Sequence, residues 1–409
     1  MSDTTTSAGE NSAEIPAFPM SKNTAACPFD PAPALYTQRQ EGPLTRVRLW
    51  NGSTPWLVTG YNDQRSVLAD PRVSANLNTP GFPSTSPPVA AAKTSLFRMD
   101  DPEHARLRRM ITAPFAIKRV NAMRPAVQKI VDDQIDAMLA GPKPVDLVEA
   151  FALPVPSVVI SELLGVPYDA HEFFQDNSQI MASRNSTPEQ KSGAVRTLIE
   201  YLHGLISEKV SNPGDDLLSG LAEPIKTGEL TQQEAAGLGI LLLAAGHETT
   251  ANMIALGTLA LLQHPDQLAL LRESEDPKVV TSAVEELLRY LNIAHDGRLR
   301  AATEDFEVAG QIIHAGEGLI MPNEIGNRDP EIFDDPDRLD ITRDARRHVA
   351  FGFGVHQCLG QSLARVELQI VYSTLYKRIP TLKLATELDQ IPFKDDGIIY
   401  GVYKLPVTW

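Results

Sequence analysis

From about Pro102 to Ile293, apolar residues return every three to four positions. The period predicts a succession of helices, broken at Gly141 to Pro144, at Pro154 and Pro156, and at Asn212 to Gly214. The strongest pattern starts at Thr231, a good N-cap, and runs through Gln233, Leu238, Leu242 and Ile254 to about Gln263, where His264 and Pro265 close it. A helix of about 30 residues is ~45 Å long, enough to cross the middle of a domain. Further helices are expected over Val284 to Leu291 and from about Leu359 to Ile379.

Outside this region the period shortens. Thr45 to Trp50 and Trp56 to Thr59 alternate as strands do, and short strand-like pieces recur at Asp305 to Val308, Gln311 to Ile313, Leu319 to Met321 and near the end of the chain. Glu324 to Arg347 reads as irregular. Asn76 to Lys93 is crowded with Pro, Ser, Thr and Gly and is expected to be a long surface loop serving as a lid. Residues 1–30 are polar and irregular and are expected to form a flexible segment. With no repeat and no linker-like shift, 31–409 is expected to be one domain, mainly α with a smaller β-rich region (α+β).

Composition narrows the function. The chain of 409 residues is 43% apolar and carries 37 basic against 52 acidic residues, a net charge of −15 that disfavours nucleic acid and anionic lipid as partners. Its longest apolar run, Leu238 to Gly246, is far shorter than the roughly 20 residues that span a bilayer, and the N-terminus lacks a basic-then-apolar signal pattern. A cytoplasmic protein without a membrane or nucleic-acid partner is expected. Two cysteines, Cys27 and Cys358, make neither a disulfide framework nor a Cys-rich zinc site.

Cys358 stands out by its context. In Phe351-Gly352-Phe353-Gly354-Val355-His356-Gln357-Cys358-Leu359-Gly360 the sulfur lies where a helix is about to start, and N-terminal amides and the helix dipole favour a thiolate there. Gly352 and Gly354 allow a tight turn, Gly360 removes a side chain where a flat ligand would lie, and Phe351 can shield the sulfur. A buried structural cysteine and a Cys-His nucleophile pair of a hydrolase remain open on these residues alone. A phosphate-cradling loop is weak, because Gln357 stands where a third glycine belongs, and zinc lacks ligands beyond His356 and Cys358.

The segment Phe-x-x-Gly-x-His-x-Cys-x-Gly resembles the haem-binding signature of the cytochrome P-450 superfamily, and other family motifs occur in order. Glu286-Leu287-Leu288-Arg289 is similar to its Glu-x-x-Arg, an i, i+3 pair on one helix face. Pro336-Asp337-Arg338-Leu339 is similar to the Pro-Glu-Arg-Phe-like segment, with Asp for Glu and Leu for Phe, which would make Arg338 the third member. Ala245-Gly246-His247-Glu248-Thr249-Thr250 resembles the oxygen-activation motif. There, mid-helix Gly and a Thr hydroxyl bonding back to a carbonyl can open a local pocket. His104 and Arg108 match the family's His-x-x-x-Arg helix, and Arg300, ahead of Asp305 and Gly310, matches its propionate-binding strand.

The resemblance covers the chain from about Pro28 onward and is greatest to actinobacterial enzymes of secondary metabolism and xenobiotic oxidation. It implies the cytochrome P-450 fold, with the long central helix crossing the haem, and a haem-thiolate monooxygenase that inserts one oxygen atom of O2 into a C–H bond. It implies haem b (iron protoporphyrin IX) held by Cys358 as metal ligand, with His104, Arg108, Arg300, His356, Phe351, Gly352, Gly360 and Ala245 against the cofactor. Thr249 and Glu248 would be catalytic. Leu96, Leu242, Ile293 and Ile398 are expected to line a pocket for a medium-to-large apolar or amphipathic molecule such as a polyketide, macrolide or terpenoid. With no flavin-binding stretch left over, electrons are expected from NAD(P)H through a ferredoxin reductase and a ferredoxin docking near Arg109, Arg346, Arg347 and Arg365. A peroxide-driven peroxygenase and a non-catalytic haem sensor are the alternatives.

Overall fold

The computed structural model describes residues 15–22, 26–86, 96–182, 185–395 and 398–409. Its axis is the helix Gln232–Gln263. Thr231 caps it through a reciprocal box in which the Thr231 hydroxyl accepts from the Glu234 N–H and the Glu234 carboxylate accepts from the Thr231 N–H. Apolar residues on every side of this 32-residue helix are buried, Leu238, Leu242, Leu243, Ile254, Leu256 and Leu259 among them, as expected of a helix enclosed by others. The helices Pro154–Leu164, Pro188–Ser211 and Gln361–Arg378 pack against it. Pro154 and Pro156, which read as a break, instead sit in the first turn of their helix, where a missing N–H costs nothing.

The helix predicted around Val284 extends over Pro277–Tyr290, and its Asp276 side chain accepts from the Lys278 N–H. The β part centres on five strands in the order Leu44–Arg46, Trp56–Val58, Gly318–Met321, Arg298–Ala302 and Val73–Ser74, antiparallel except between Trp56–Val58 and Gly318–Met321. Among the described residues no helix is long and apolar enough to cross a membrane.

The N-terminal segment departs from expectation. Phe18, Met20 and Phe29 are buried, and Lys22 donates to the Asp30 carbonyl at 2.7 Å while ion-pairing with Glu324 at 2.7 Å. Residues 15–22 and 26–30 are therefore packed onto the domain, because a few apolar anchors and one buried ion pair outweigh the polar composition around them. The expected lid lies outside the described residues from 87 onward.

Candidate active site around Cys358

The cysteine loop is set by backbone geometry. Gly352 and Gly354 both have positive φ, +70° and +73°, and a Cβ on Gly354 would run into the Leu68 carbonyl of a neighbouring helix, so the turn requires glycine there. The Cys358 N–H donates to the Phe351 carbonyl at 2.9 Å and closes the loop. The helix begins at Gln361 with Gly360 as N-cap, so the sulfur lies two residues ahead of the cap, and the Gly360 N–H points at it. Phe351 lies between the Arg365 guanidinium, 4.6 Å from its ring centre, and the His348 ring, 5.8 Å away and tilted by 49°. Cys358 is accessible, yet its thiol is desolvated by the surrounding protein. Burial raises its pKa against the opposing pull of the Gly360 N–H, Arg298, Arg108 and Arg365.

Cations converge around this sulfur. His104, buried on the helix Glu103–Thr112, lies with its ring centre 4.1 Å from that of His356, and Arg108, one turn on, donates to the Gln357 carbonyl. The sheet contributes Arg298 and Arg300, and the turn Leu96–Arg98 contributes Arg98. Burial lowers all three guanidiniums. With added repulsion from one another, Arg98 and Arg300 fall to about 10, offset only in part by Asp296 and Asp100. Burial and the neighbouring Arg300, His104 and Arg108 push His356 down to about 3, so its imidazole is neutral. His104 Nδ1 lies 3.1 Å from Asp101 Oδ1, and its buried Nε2 has no hydrogen-bond partner. Clustered, desolvated cations and an orphaned ring nitrogen fit a ligand that brings two carboxylates. Arg98 was not legible beforehand, since one Arg in a turn carries no periodic signal.

On the central helix, Ala245 is exposed whereas Leu242, Leu243, His247 and Glu248 are buried, and Thr249, one turn on, shares its face. The Thr249 hydroxyl donates to the Ala245 carbonyl at 2.6 Å. Glu248 is buried and directed elsewhere, with Oε2 3.2 Å from Asn252 Nδ2 and 3.6 Å from Lys394 Nζ. Leu96 and Leu242 belong to one buried cluster. Ile293 and Ile398 are brought together by a bridge between Ala294 and Ile399, in which the Tyr400 N–H donates to the Ile293 carbonyl at 2.9 Å.

Two successive carboxylates tie the frame together. Glu286 and Arg289 form a fully buried bidentate pair at 2.7 and 2.8 Å, and Arg289 also donates to the Asn327 and Pro336 carbonyls. The third member corrects the expectation. Arg338 is exposed and contributes only its carbonyl, at 3.3 Å from Arg289 Nη2, whereas Arg343 Nε reaches Glu286 Oε1 at 3.2 Å. The chain turns between the two, so the guanidinium five residues further on faces the pair. Glu285 binds His348 at 3.1 Å and Arg365 at 2.6 and 3.0 Å. Burial would raise Glu285, but these hydrogen bonds and the Arg365 charge prevail and hold it at about 2.

A long buried helix, a desolvated cysteine on a glycine turn and a ring of cations define a haem-thiolate oxygenase. The sequence model of the family "Cytochrome P450" matches residues 211–396. Cytochrome P450 GfsF of Streptomyces halstedii is 56% identical over 100% of both chains, and the solved structure of GfsF superimposes with a TM-score of 0.92 over 97% of this chain and 100% of that one. The structure of the mycinamicin VIII C21 methyl hydroxylase MycCI of Micromonospora griseorubida, with mycinamicin VIII bound, is 41% identical and gives a TM-score of 0.90 over 97% of this chain and 100% of that one. The chain belongs to the cytochrome P450 family and is a cytochrome P450 monooxygenase, similar over its whole length to actinobacterial members.

Proposed function

We propose that the protein hydroxylates a medium-to-large apolar or amphipathic molecule of the macrolide, polyketide or terpenoid kind, with electrons passed from NAD(P)H through a ferredoxin reductase and a ferredoxin. The observation that carries this reading is the desolvated Cys358 sulfur within a ring formed by His104, Arg108, Arg298, Arg300 and His356, a donor set suited to haem b and its two propionates. Haem held there supplies an iron that binds and activates oxygen, and a thiolate ligand favours O–O cleavage.

The chain's own residues do the rest. Gly352, Phe351 and Gly360 shape the sulfur's side, and Ala245 leaves room on the other. The Thr249 hydroxyl, bonded to Ala245, can turn into the pocket and donate a hydrogen bond, and Glu248 supplies protons. Leu96, Leu242, Ile293 and Ile398 give the substrate apolar contact. For the ferredoxin, Arg109 and Arg347 are the exposed charges to consider, because Arg346 is taken up by Asp344 and Arg365 by Glu285.

The test is spectroscopic. Reduced protein under carbon monoxide is expected to show the red-shifted Soret band of sulfur ligation, and titration of the ferric protein with a macrolide, polyketide and terpenoid panel is expected to displace water for at least one class. Absence of the band refutes haem-thiolate ligation, and failure of every compound refutes the substrate class. Turnover with reduced ferredoxin should slow at high salt.

A further inference from the structure

Near the end of the chain a hairpin is bridged at Phe393 and Val402, and its Ile399 bridges in turn to Ala294. Two hydrogen bonds reinforce the second bridge. The Tyr400 N–H donates to the Ile293 carbonyl at 2.9 Å, and the His295 N–H donates to the Ile398 carbonyl at 3.3 Å. Of the residues proposed to contact substrate, Ile293 and Ile398 are thus carried on one small backbone unit. Its anchor is Tyr400, which is buried and lies nearly parallel to the rings of Phe393 and His295, 6.0 and 6.2 Å away.

Tyr400 is held from behind by the N-terminal segment. Its hydroxyl donates to the Pro28 carbonyl at 2.8 Å, and Lys22 Nζ lies 4.9 Å from its ring centre. Burial raises the Tyr400 pKa and the Glu324 charge adds to it, so the hydroxyl stays a donor. Lys22 is fixed as well. Its buried ammonium is 2.7 Å from Glu324 Oε2 and donates to the Asp30 carbonyl at 2.7 Å. The segment before it is tied to the β part, where the Phe18 N–H donates to the Arg48 carbonyl at 2.9 Å and the Arg48 N–H to the Pro16 carbonyl at 2.7 Å. Glu324 follows closely on Pro322, and Gly297 packs there so tightly that a Cβ on it would meet the Met321 carbonyl and the Pro322 Cα. One ammonium therefore links the N-terminal segment to both sides of the unit that carries Ile293 and Ile398. An ammonium kept from water over an aromatic face holds that ring more firmly than one at the surface.

We propose that Lys22 is a specificity-determining positioning residue: it pins Tyr400 and, through it, the Ile293 and Ile398 backbone, so that residues 15–22 and 26–30 brace the pocket wall and set how bulky a molecule it accepts. Lys22 touches no substrate; it acts through Tyr400 alone. The inference rests on the monooxygenase reading above and deepens it.

The experiment uses holoproteins with intact carbon monoxide spectra and three azoles of increasing bulk: imidazole, 4-phenylimidazole and clotrimazole. Each is titrated by the Soret shift of nitrogen ligation. Imidazole senses the iron alone, whereas the larger two also press on the walls. In Lys22→Met the imidazole dissociation constant is expected to stay within about 1.5-fold of wild type, while that of clotrimazole changes about tenfold and that of 4-phenylimidazole falls between. Lys22→Arg, which keeps a cation over the ring, should bring clotrimazole back near wild type. Lys22→Met/Glu324→Gln leaves no buried charge unpaired, so it should regain the urea midpoint lost in Lys22→Met yet keep the size-graded change in binding. In a Tyr400→Leu background the same pair of substitutions should add nothing to the clotrimazole change. Equal changes for all three azoles, wild-type binding throughout, a binding change that vanishes when the midpoint is regained, or additivity with Tyr400→Leu would overturn the assignment. The Lys22 variants decide the matter whether or not Tyr400→Leu folds. If the monooxygenase reading fails, wild-type protein shows no Soret shift with imidazole; if this inference fails, imidazole binds and the gradation with size is that of wild type.

Discussion

Arg343 Nε lies 3.2 Å from Glu286 Oε1, on the oxygen that also accepts from Arg289 Nη2 at 2.8 Å and from the Asp340 N–H at 3.0 Å. One buried oxygen thus joins the helix Pro277–Tyr290 to the irregular chain leading to the cysteine loop. Removing Arg343 leaves the carboxylate under-compensated, so Arg343→Ala is expected to cost about 3 kcal/mol and to lower haem incorporation. Arg338→Ala removes an exposed side chain whose carbonyl alone is used, and it should change stability by no more than ~0.5 kcal/mol. Urea unfolding of both variants checks this, and a larger cost for Arg338→Ala would return the third place to that residue.

Thr249→Ala removes the hydroxyl that now bonds the Ala245 carbonyl. If this hydroxyl turns inward during turnover, the variant should consume electrons at a comparable rate while product per electron falls about tenfold and peroxide rises to match. Unaltered coupling of electrons to product would remove Thr249 from the proton path. Thr249→Ser, which keeps the hydroxyl, should stay near wild type.

The long helix was legible because Thr231 is a good N-cap, His264 and Pro265 are a clear stop, and the residues between them are predominantly apolar. The cysteine loop was legible because Gly352, Gly354 and Cys358 are all local. What escaped detection comes together only in space. Lys394 meets Glu248 across a hairpin, Arg98 joins Arg298 and Arg300 from a separate turn, and Glu285 reaches His348 and Arg365. The strand Arg298–Ala302 was legible only through the family's propionate-binding pattern, because its alternation lasts four residues and alanine is a weak strand former; in the fold every position after Arg298 is buried. Phe18 and Met20 were too sparse to signal that their segment packs, and Arg343 was missed because the motif match ended at Leu339.

Arg98, Arg298 and Arg300 repel one another in a desolvated site, so the charge that serves a dianionic ligand burdens the empty protein. Arg300→Leu should therefore act with opposite signs in the two states. Haem loss to an excess of acceptor apoprotein is expected to be about tenfold faster, in line with a lost charge-assisted hydrogen bond. The haem-free variant should melt at a higher temperature than haem-free wild type. Parallel changes in both states would show that Arg300 serves packing rather than the propionates.

Glu367 lies in the middle of the helix Gln361–Arg378, 3% exposed, with Oε2 lacking any hydrogen-bond partner, and burial raises its pKa well above the ordinary carboxyl value. The folded protein thus keeps a proton that the unfolded chain releases above about pH 4.3. From there upward the unfolded state binds fewer protons, so this group's contribution to stability is full below the unfolded pKa and declines by up to ~1.4 kcal/mol per pH unit until the folded pKa is reached. Glu367→Gln keeps the shape of the neutral acid and has no proton to lose. Between pH 6 and 9 the variant should therefore unfold at higher urea than wild type, with the two converging as the pH falls toward 4.5. Denaturation midpoints across that range decide the matter, since a constant difference between the two proteins would mean that Glu367 is ionised and partnered in the folded state.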